Sequence, residues 1–267
     1  WALEALGTSG LSLAALIFAA SSAVRSNGAI SCGFLLFTAA SDFVPVADIL
    51  LGKVGVRDWL RTVRFSPRGF VRLVASAAWA VMMCALVVLP ILAVQLHGRR
   101  VWCSSEVLAV GSPHSAWCKE PLLFGVVPNF YGHIQAEYWN QGFLRYWQAK
   151  QLPNFVLYAP MFVLVARGTA NFFVQSIGSR KQRKEDISNS SKQLVYVVHA
   201  AILAVFVLLC MHVQVGTRFL AASSPAVFWF AAEQASLSRV GTVLVCWYFV
   251  AYLLIGTLLF TNFYPWT

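Results

Sequence analysis

From residue 73 to residue 95 this chain carries no charged side chain. Wound as a helix at about 1.5 Å per residue, a stretch of that length covers the roughly 30 Å of a bilayer's hydrocarbon core. Water does not reach a backbone amide there, so a helix, which pairs its own N–H and C=O groups, is the form such a stretch takes. Further apolar blocks run over residues 11–24, 29–51, 153–177, 194–213, 219–232 and 240–260. None shows the strict alternation of a half-buried strand. Only 11% of the residues are charged, against about 25% in an ordinary soluble domain. The reading is an all-α, polytopic transmembrane helical bundle, one transmembrane domain over residues 1–267. Two blocks are expected to be irregular. The block 29–51 holds Asp42, Pro45 and Asp48 and is expected to kink or end near Pro45. The block 219–232 is short, so a re-entrant or interfacial path is expected and the side of the C-terminus stays open. The opening Trp1-Ala2-Leu3-Glu4 has neither a Met nor the basic start of a signal peptide; upstream spans are expected to be missing.

The formal net charge of +10 raises the question of nucleic acid. The distribution of that charge answers it. Lys53, Arg57, Arg61, Arg64, Arg68 and Arg72 fall in one interval between apolar blocks, and Arg180, Lys181, Arg183, Lys184 and Lys192 in another. Such intervals set membrane orientation, with the basic loops cytoplasmic, rather than track phosphates along a duplex. Two spans separate the loops, so the assignments agree. Segment 97–152 then lies on the opposite, lumenal side, with the Arg25–Gly28 turn and the 213–219 link. Cys103 and Cys118 are the cysteines of that segment. An oxidising compartment would pair them; the alternative is two separate buried thiols. Cys32, Cys84, Cys210 and Cys246 lie in apolar blocks and read as small core residues. The sequon Asn189-Ser190-Ser191 falls in a cytoplasmic loop and is expected to be unmodified.

The chemistry-bearing residues concentrate in the lumenal segment. Tyr131, Tyr138, Trp139, Phe143, Tyr146 and Trp147 recur at helical spacing and are expected to form one aromatic helix face. Gln135, Glu137, Asn140, Gln141, Arg145 and Gln148 interleave with them. One reading is an amphipathic helix lying at the membrane surface. The other is the wall of a groove for a lipid-linked substrate, with aromatics on sugar and isoprenoid and Arg145 and Lys150 on a phosphate. Gln151 and Asn154 follow at the start of the next block. A second lumenal cluster joins Gln214 to Arg218, Ser223-Ser224-Pro225 and Trp229. Arg218 runs against the positive-inside bias; it either binds a phosphate or acid or snorkels from a helix end. Arg25 and Asn27 pose the same choice. Arg167 reads as the cytoplasmic end of its helix, and Asp42 as an intramembrane acid, functional or structural. His97, His114, His133, His199 and His212 show no metal-ligand spacing, and no P-loop, GxGxxG or nucleophile elbow occurs.

Read in order, several stretches resemble one family. They are Arg25-Ser26-Asn27-Gly28 with Gly33-Phe34-Leu35, and Tyr138-Trp139-Asn140 with Gly142-Phe143-Leu144 leading into Gln151-Leu152-Pro153-Asn154-Phe155 and Ala159-Pro160. They continue with Val195-Tyr196-Val197-Val198-His199-Ala200-Ala201, then Met211-His212-Val213-Gln214-Val215 with Thr217-Arg218-Phe219-Leu220, Pro225 and Trp229. The end carries Asn262-Phe263 with Pro265-Trp266-Thr267. Together they resemble the C-terminal portion of the PIG-V family of GPI mannosyltransferases, over nearly the whole chain. The resemblance implies a multi-spanning GT-C type glycosyltransferase of the endoplasmic reticulum membrane. Its donor would be dolichyl-phosphate mannose and its acceptor a GPI precursor glycolipid, which receives a second mannose in α-1,6 linkage on the lumenal side. No metal or other cofactor and no nucleic acid partner is implied; membrane lipid is. Substrate contacts are expected from Arg25, Asn27, Trp139, Asn140, Arg145, Tyr146, Gln151, Asn154, Gln214 and Arg218.

One feature of the family pattern is not found. Enzymes of this class carry an early lumenal acid, in this family beside a Trp, suited to deprotonate the acceptor hydroxyl. No Trp-Asp pair precedes Asp58, and Asp58-Trp59 stands in the reverse order in a basic loop. The catalytic base is therefore expected upstream of Trp1, and this chain is expected to be an incomplete, inactive portion. Glu137 is not assigned that role. Two other classes stay open: a transporter or channel, which calls for paired intramembrane charges and internal repeats where only Asp42 and no repeat is seen, and a non-catalytic membrane scaffold.

Overall fold

A computed structural model describes residues 8–62, 66–104, 118, 130–178 and 184–262. Arg64, Arg180, Lys181, Arg183, His114 and residues 263–267 lie outside the described residues, as do the side chains of Lys184 and Asn189. The described elements are α-helices and short 3-10 turns. Four of the helices are long and apolar enough to cross a membrane. The chain divides into two compact units, one of residues 1–50 and 54–138, the other of residues 51–53 and 139–267.

The first unit is built on three helices: α1 (Thr8–Val24), α2 (Cys32–Ser41) and α5 (Pro67–Trp102). A 3-10 turn, Ser26–Ser31, links α1 to α2. The short α3 (Val46–Leu50) and α4 (Val56–Thr62) follow. The block 29–51 is thus not one span. Helix α2 stops at Ser41 because the residue before Pro45 is pushed out of the helical region and the turn is made first. Asp42 stands at that C-terminal end with its side chain exposed. Helix α5 begins on a built N-terminus. Ser66 Oγ accepts from the Gly69 amide at 3.0 Å, and Pro67 opens the first turn, a position where its missing N–H costs nothing. Ala15, Leu35, Met83 and Val87 form the core, with Phe18 and Trp79 packed around it. Helix α6 (Phe130–Trp139) closes the unit: its Tyr131 amide donates to Gln95 Oε1 at 2.7 Å. The Cys103–Cys118 disulfide is formed, with Cα atoms 5.6 Å apart.

The second unit contains α7 (Leu152–Gly178), α8 (Lys184–Cys210), α9 (Gly216–Ser223), α10 (Ala226–Leu237) and α11 (Arg239–Thr261). Helix α7 runs through Arg167 to Gly178, so Arg167 marks no helix end. The block 194–213 starts earlier and stops at Cys210, and the block 219–232 is two helices rather than one. Tyr158, Met161 and Val165 of α7 and Leu203, Ala204 and Val207 of α8 are buried in the seam where these two helices pack. Within it the Tyr158 hydroxyl donates to the Ala204 carbonyl at 3.1 Å. Outer faces stay apolar and bare: Leu244, Trp247 and Leu253 of α11 are all more than half exposed. A soluble protein rarely leaves so continuous an apolar face in water; in hydrocarbon it is the favourable surface.

Candidate functional site

Between α6 and α7 the chain makes a tight strap, residues 139–151, across the end of α8. Its shape comes from two residues in the left-handed region, Asn140 at φ 49° and Leu144 at φ 56°. Asn tolerates that region; for Leu it is uncommon and costs free energy that the surroundings must offset. The offset is visible. The last carbonyls of a helix have no intrahelical partner. Here the Leu144 amide donates to Leu209 O at 2.7 Å, and the Trp147 indole donates to Leu208 O at 2.8 Å. The strap is therefore the C-terminal cap of α8. This corrects the expectation of one aromatic helix through residue 147. Helix α6 ends at Trp139, and Phe143, Tyr146 and Trp147 sit on turns, so three-and-four spacing there reflects no helix face.

A hydrogen-bonded chain of side chains runs under the strap. Asn154 Nδ2 donates to the Tyr146 hydroxyl at 2.8 Å and to Gln151 Oε1 at 2.8 Å. The Tyr146 hydroxyl donates in turn to Gln214 Oε1 at 3.2 Å. Tyr146 is only 8% exposed. Burial pushes its hydroxyl above the usual tyrosine value, and the Asn154 donor pulls weakly the other way. It thus stays a neutral donor at physiological pH. His212 stacks on the Tyr146 ring, with centroids 4.6 Å apart, and sets Nε2 against the Trp139 carbonyl. Because a carbonyl only accepts, the proton there is on Nε2.

Four of the expected site residues, Tyr146, Gln151, Asn154 and Gln214, meet in this network. Trp139, Asn140 and Arg145 lie on the strap with their side chains exposed. Arg218 is exposed on the first turn of α9, beside Thr217, whose Oγ1 lies 2.9 Å from the Tyr248 hydroxyl of α11. Arg25 and Asn27 belong to the first unit, where exposed Arg25 precedes the 3-10 turn and Gly28 donates back to its carbonyl at 2.9 Å. Exposed Glu137 is on α6. Among the described residues no group of three His, Cys, Asp or Glu side chains could hold a metal. Sequence reasoning missed His212 and Tyr248. His212 stands two residues before Gln214 but shows no metal-ligand spacing and no other local signal of a role; Tyr248 lies in an apolar block and gives no local signal.

The profile of the family described as Mannosyltransferase (PIG-V) matches residues 2–267. This chain belongs to the PIG-V mannosyltransferase family. Among curated relatives, GPI alpha-1,6-mannosyltransferase 2 of Homo sapiens is 31% identical, over 94% of this chain and 61% of the human protein. The protein of the same name from Mus musculus is 32% identical over the same shares. GPI mannosyltransferase 2 of Drosophila pseudoobscura pseudoobscura is 34% identical, over 91% of this chain and 54% of that protein. This PIG-V family member therefore spans somewhat more than half the length of these relatives. No solved structure matches it.

Proposed function

We propose that this chain is the C-terminal part of an endoplasmic reticulum mannosyltransferase that adds an α-1,6-linked mannose, the second, to a GPI precursor. The donor is dolichyl-phosphate mannose and the strap faces the lumen. The observation that carries the reading is the Gln151–Asn154–Tyr146–Gln214 network, in a member of this family, at one end of paired apolar helices. Amides and a neutral hydroxyl held in fixed register suit sugar hydroxyls, which donate and accept alike. Exposed Trp139 and Trp147 offer flat faces for a sugar or an isoprenoid. Arg145 and Arg218 are exposed cations suited to a phosphate. Arg25 and Asn27 are carried over from the resemblance as further substrate contacts.

In the transfer the acceptor's 6-hydroxyl oxygen attacks the anomeric carbon of the donor. The bond from that carbon to the phosphate oxygen breaks, and its electron pair leaves with dolichyl phosphate. The hydroxyl proton passes to a carboxylate base. No carboxylate takes part in the hydrogen bonds described for the Tyr146 network, and the resemblance assigns that base to an upstream Trp-Asp pair.

The test is restoration of GPI-anchored proteins at the surface of cells lacking the second mannosyltransferase. This chain is expressed alone and behind the N-terminal part of the human relative, and precursor lipids are analysed. Conversion of the one-mannose precursor to the two-mannose form by the extended protein is expected. Stable, correctly inserted protein of both forms with no conversion would sink the reading.

A further inference from the structure

Helices α9 and α10 have 8 and 12 residues, each too short to span a bilayer. Their contacts with α7 and α8 nevertheless progress in one direction. At the start of α9, Gly216 lies against Tyr158 near the beginning of α7 and against Val207 near the end of α8. Further on, Phe230 of α10 lies on Gly168, in the middle of α7. Near the end of α10, Glu233 accepts from Asn171 at 3.4 Å and Gln175 at 3.3 Å, in the last turns of α7. Trp229 meets Tyr196, in the first half of α8, at 5.4 Å. So α9 and α10 together follow α7 from one end to the other. Placed end to end at about 1.5 Å per residue they reach roughly 30 Å, the hydrocarbon thickness. The break at Ser224 has a local cause. Pro225 drives the residue before it out of the helical region, and Ser224 is extended at φ −137° and 2% exposed.

Helix α11 then doubles back. Gly241 lies against the Gln234 carbonyl, Phe249 stacks on Phe228 at 6.2 Å, and Tyr248 reaches Thr217 at 2.9 Å. Tyr248 of α11 thereby holds Thr217, on the first turn of α9 beside Arg218.

We propose that α9 and α10 are two halves of one membrane span broken at Ser224–Pro225. Helix α11 thereby returns to the strap face, where Tyr248, through Thr217, acts as a positioning residue for Arg218. The path of the helices stands independently of any activity; the positioning role rests on the mannosyl transfer proposed above, with Arg218 on the donor phosphate.

The test is labelling in sealed microsomes with a membrane-impermeant maleimide. Cys32, Cys84, Cys210 and Cys246 are replaced by Ala, and Lys150→Cys, Leu237→Cys and Asn262→Cys are made singly. Lys150→Cys and Asn262→Cys are expected to label from one side and Leu237→Cys from the other. Leu237→Cys labelling with Lys150→Cys would make α9–α10 a re-entrant hairpin and overturn the path. The second arm is Tyr248→Phe, which keeps the ring and removes the hydroxyl bonded to Thr217, in the form of the protein that transfers mannose. KM for the lipid-phosphate donor is expected to rise about ten-fold with kcat little changed. An unchanged KM, or a fall in kcat alone, would overturn the positioning role. If the unsubstituted protein transfers no mannose the functional reading fails, while the labelling still decides the path.

Discussion

Among single residues, Tyr146 has the most depending on it. Its hydroxyl takes one hydrogen bond and gives another while nearly buried. Tyr146→Phe leaves both an amide donor and an amide acceptor short of a partner, so folding stability should fall by about 1–3 kcal/mol. Chemical unfolding in detergent measures this, and an unchanged midpoint would refute the network. The same hydroxyl makes a pH prediction. Burial raises it above its ordinary value, near 10 in an unfolded chain. The stability it contributes is complete below about pH 10 and is lost as pH rises through the higher folded value. Tyr146→Phe should flatten that alkaline decline; an identical slope in both proteins would show that Tyr146 does not titrate in this range. Tyr146, Gln151, Asn154 and Gln214 were legible in the sequence because polar residues bordering apolar blocks are few. Their mutual bonds were not, since Gln214 lies 68 residues from Tyr146. His212 gives no local sign of its ring partner, because Tyr146 is distant from it in the chain.

For elements, the spans and the break near Pro45 were legible in the sequence, and the turns of the strap were not. The blocks that became α5, α7, α8 and α11 announce themselves by length and lack of charge, which lipid demands of any helix crossing it. The aromatic run through residue 147 misled. Spacing of three and four residues is necessary for a helix face but not sufficient, and Asn140 and Leu144 leave the helical region to reach the end of α8. The pairing of helices can be tested at two glycines. A Cβ on Gly168 would run into the Phe230 ring, and one on Gly216 into the Tyr158 ring. Gly168→Ala and Gly216→Ala should each lower stability by about 1–3 kcal/mol, read as a lower melting temperature in detergent. Wild-type melting for both would show that these helices do not approach as described.

At the scale of the whole molecule, the all-α polytopic character followed from composition and block length alone, whereas the division into two units did not. Division depends on which apolar faces choose one another, and faces bare to lipid look the same in sequence as faces bare to a partner helix. The Cys103–Cys118 bond was legible because both cysteines fall in one hydrophilic interval. It predicts that proteolysis under non-reducing conditions yields a linked pair of peptides, detected by mass, which separates on reduction. Two free thiols at these positions in protein from cells would contradict it. The strap has a consequence for how such a chain is made. Trp147 and Leu144 leave the ribosome well before their acceptors do, the indole 61 residues ahead of Leu208. Until α8 has been synthesised and inserted, the strap has nothing to close upon and its left-handed turn nothing to hold it. The site is thus completed only after α8, and Gln214 beyond it, has been made.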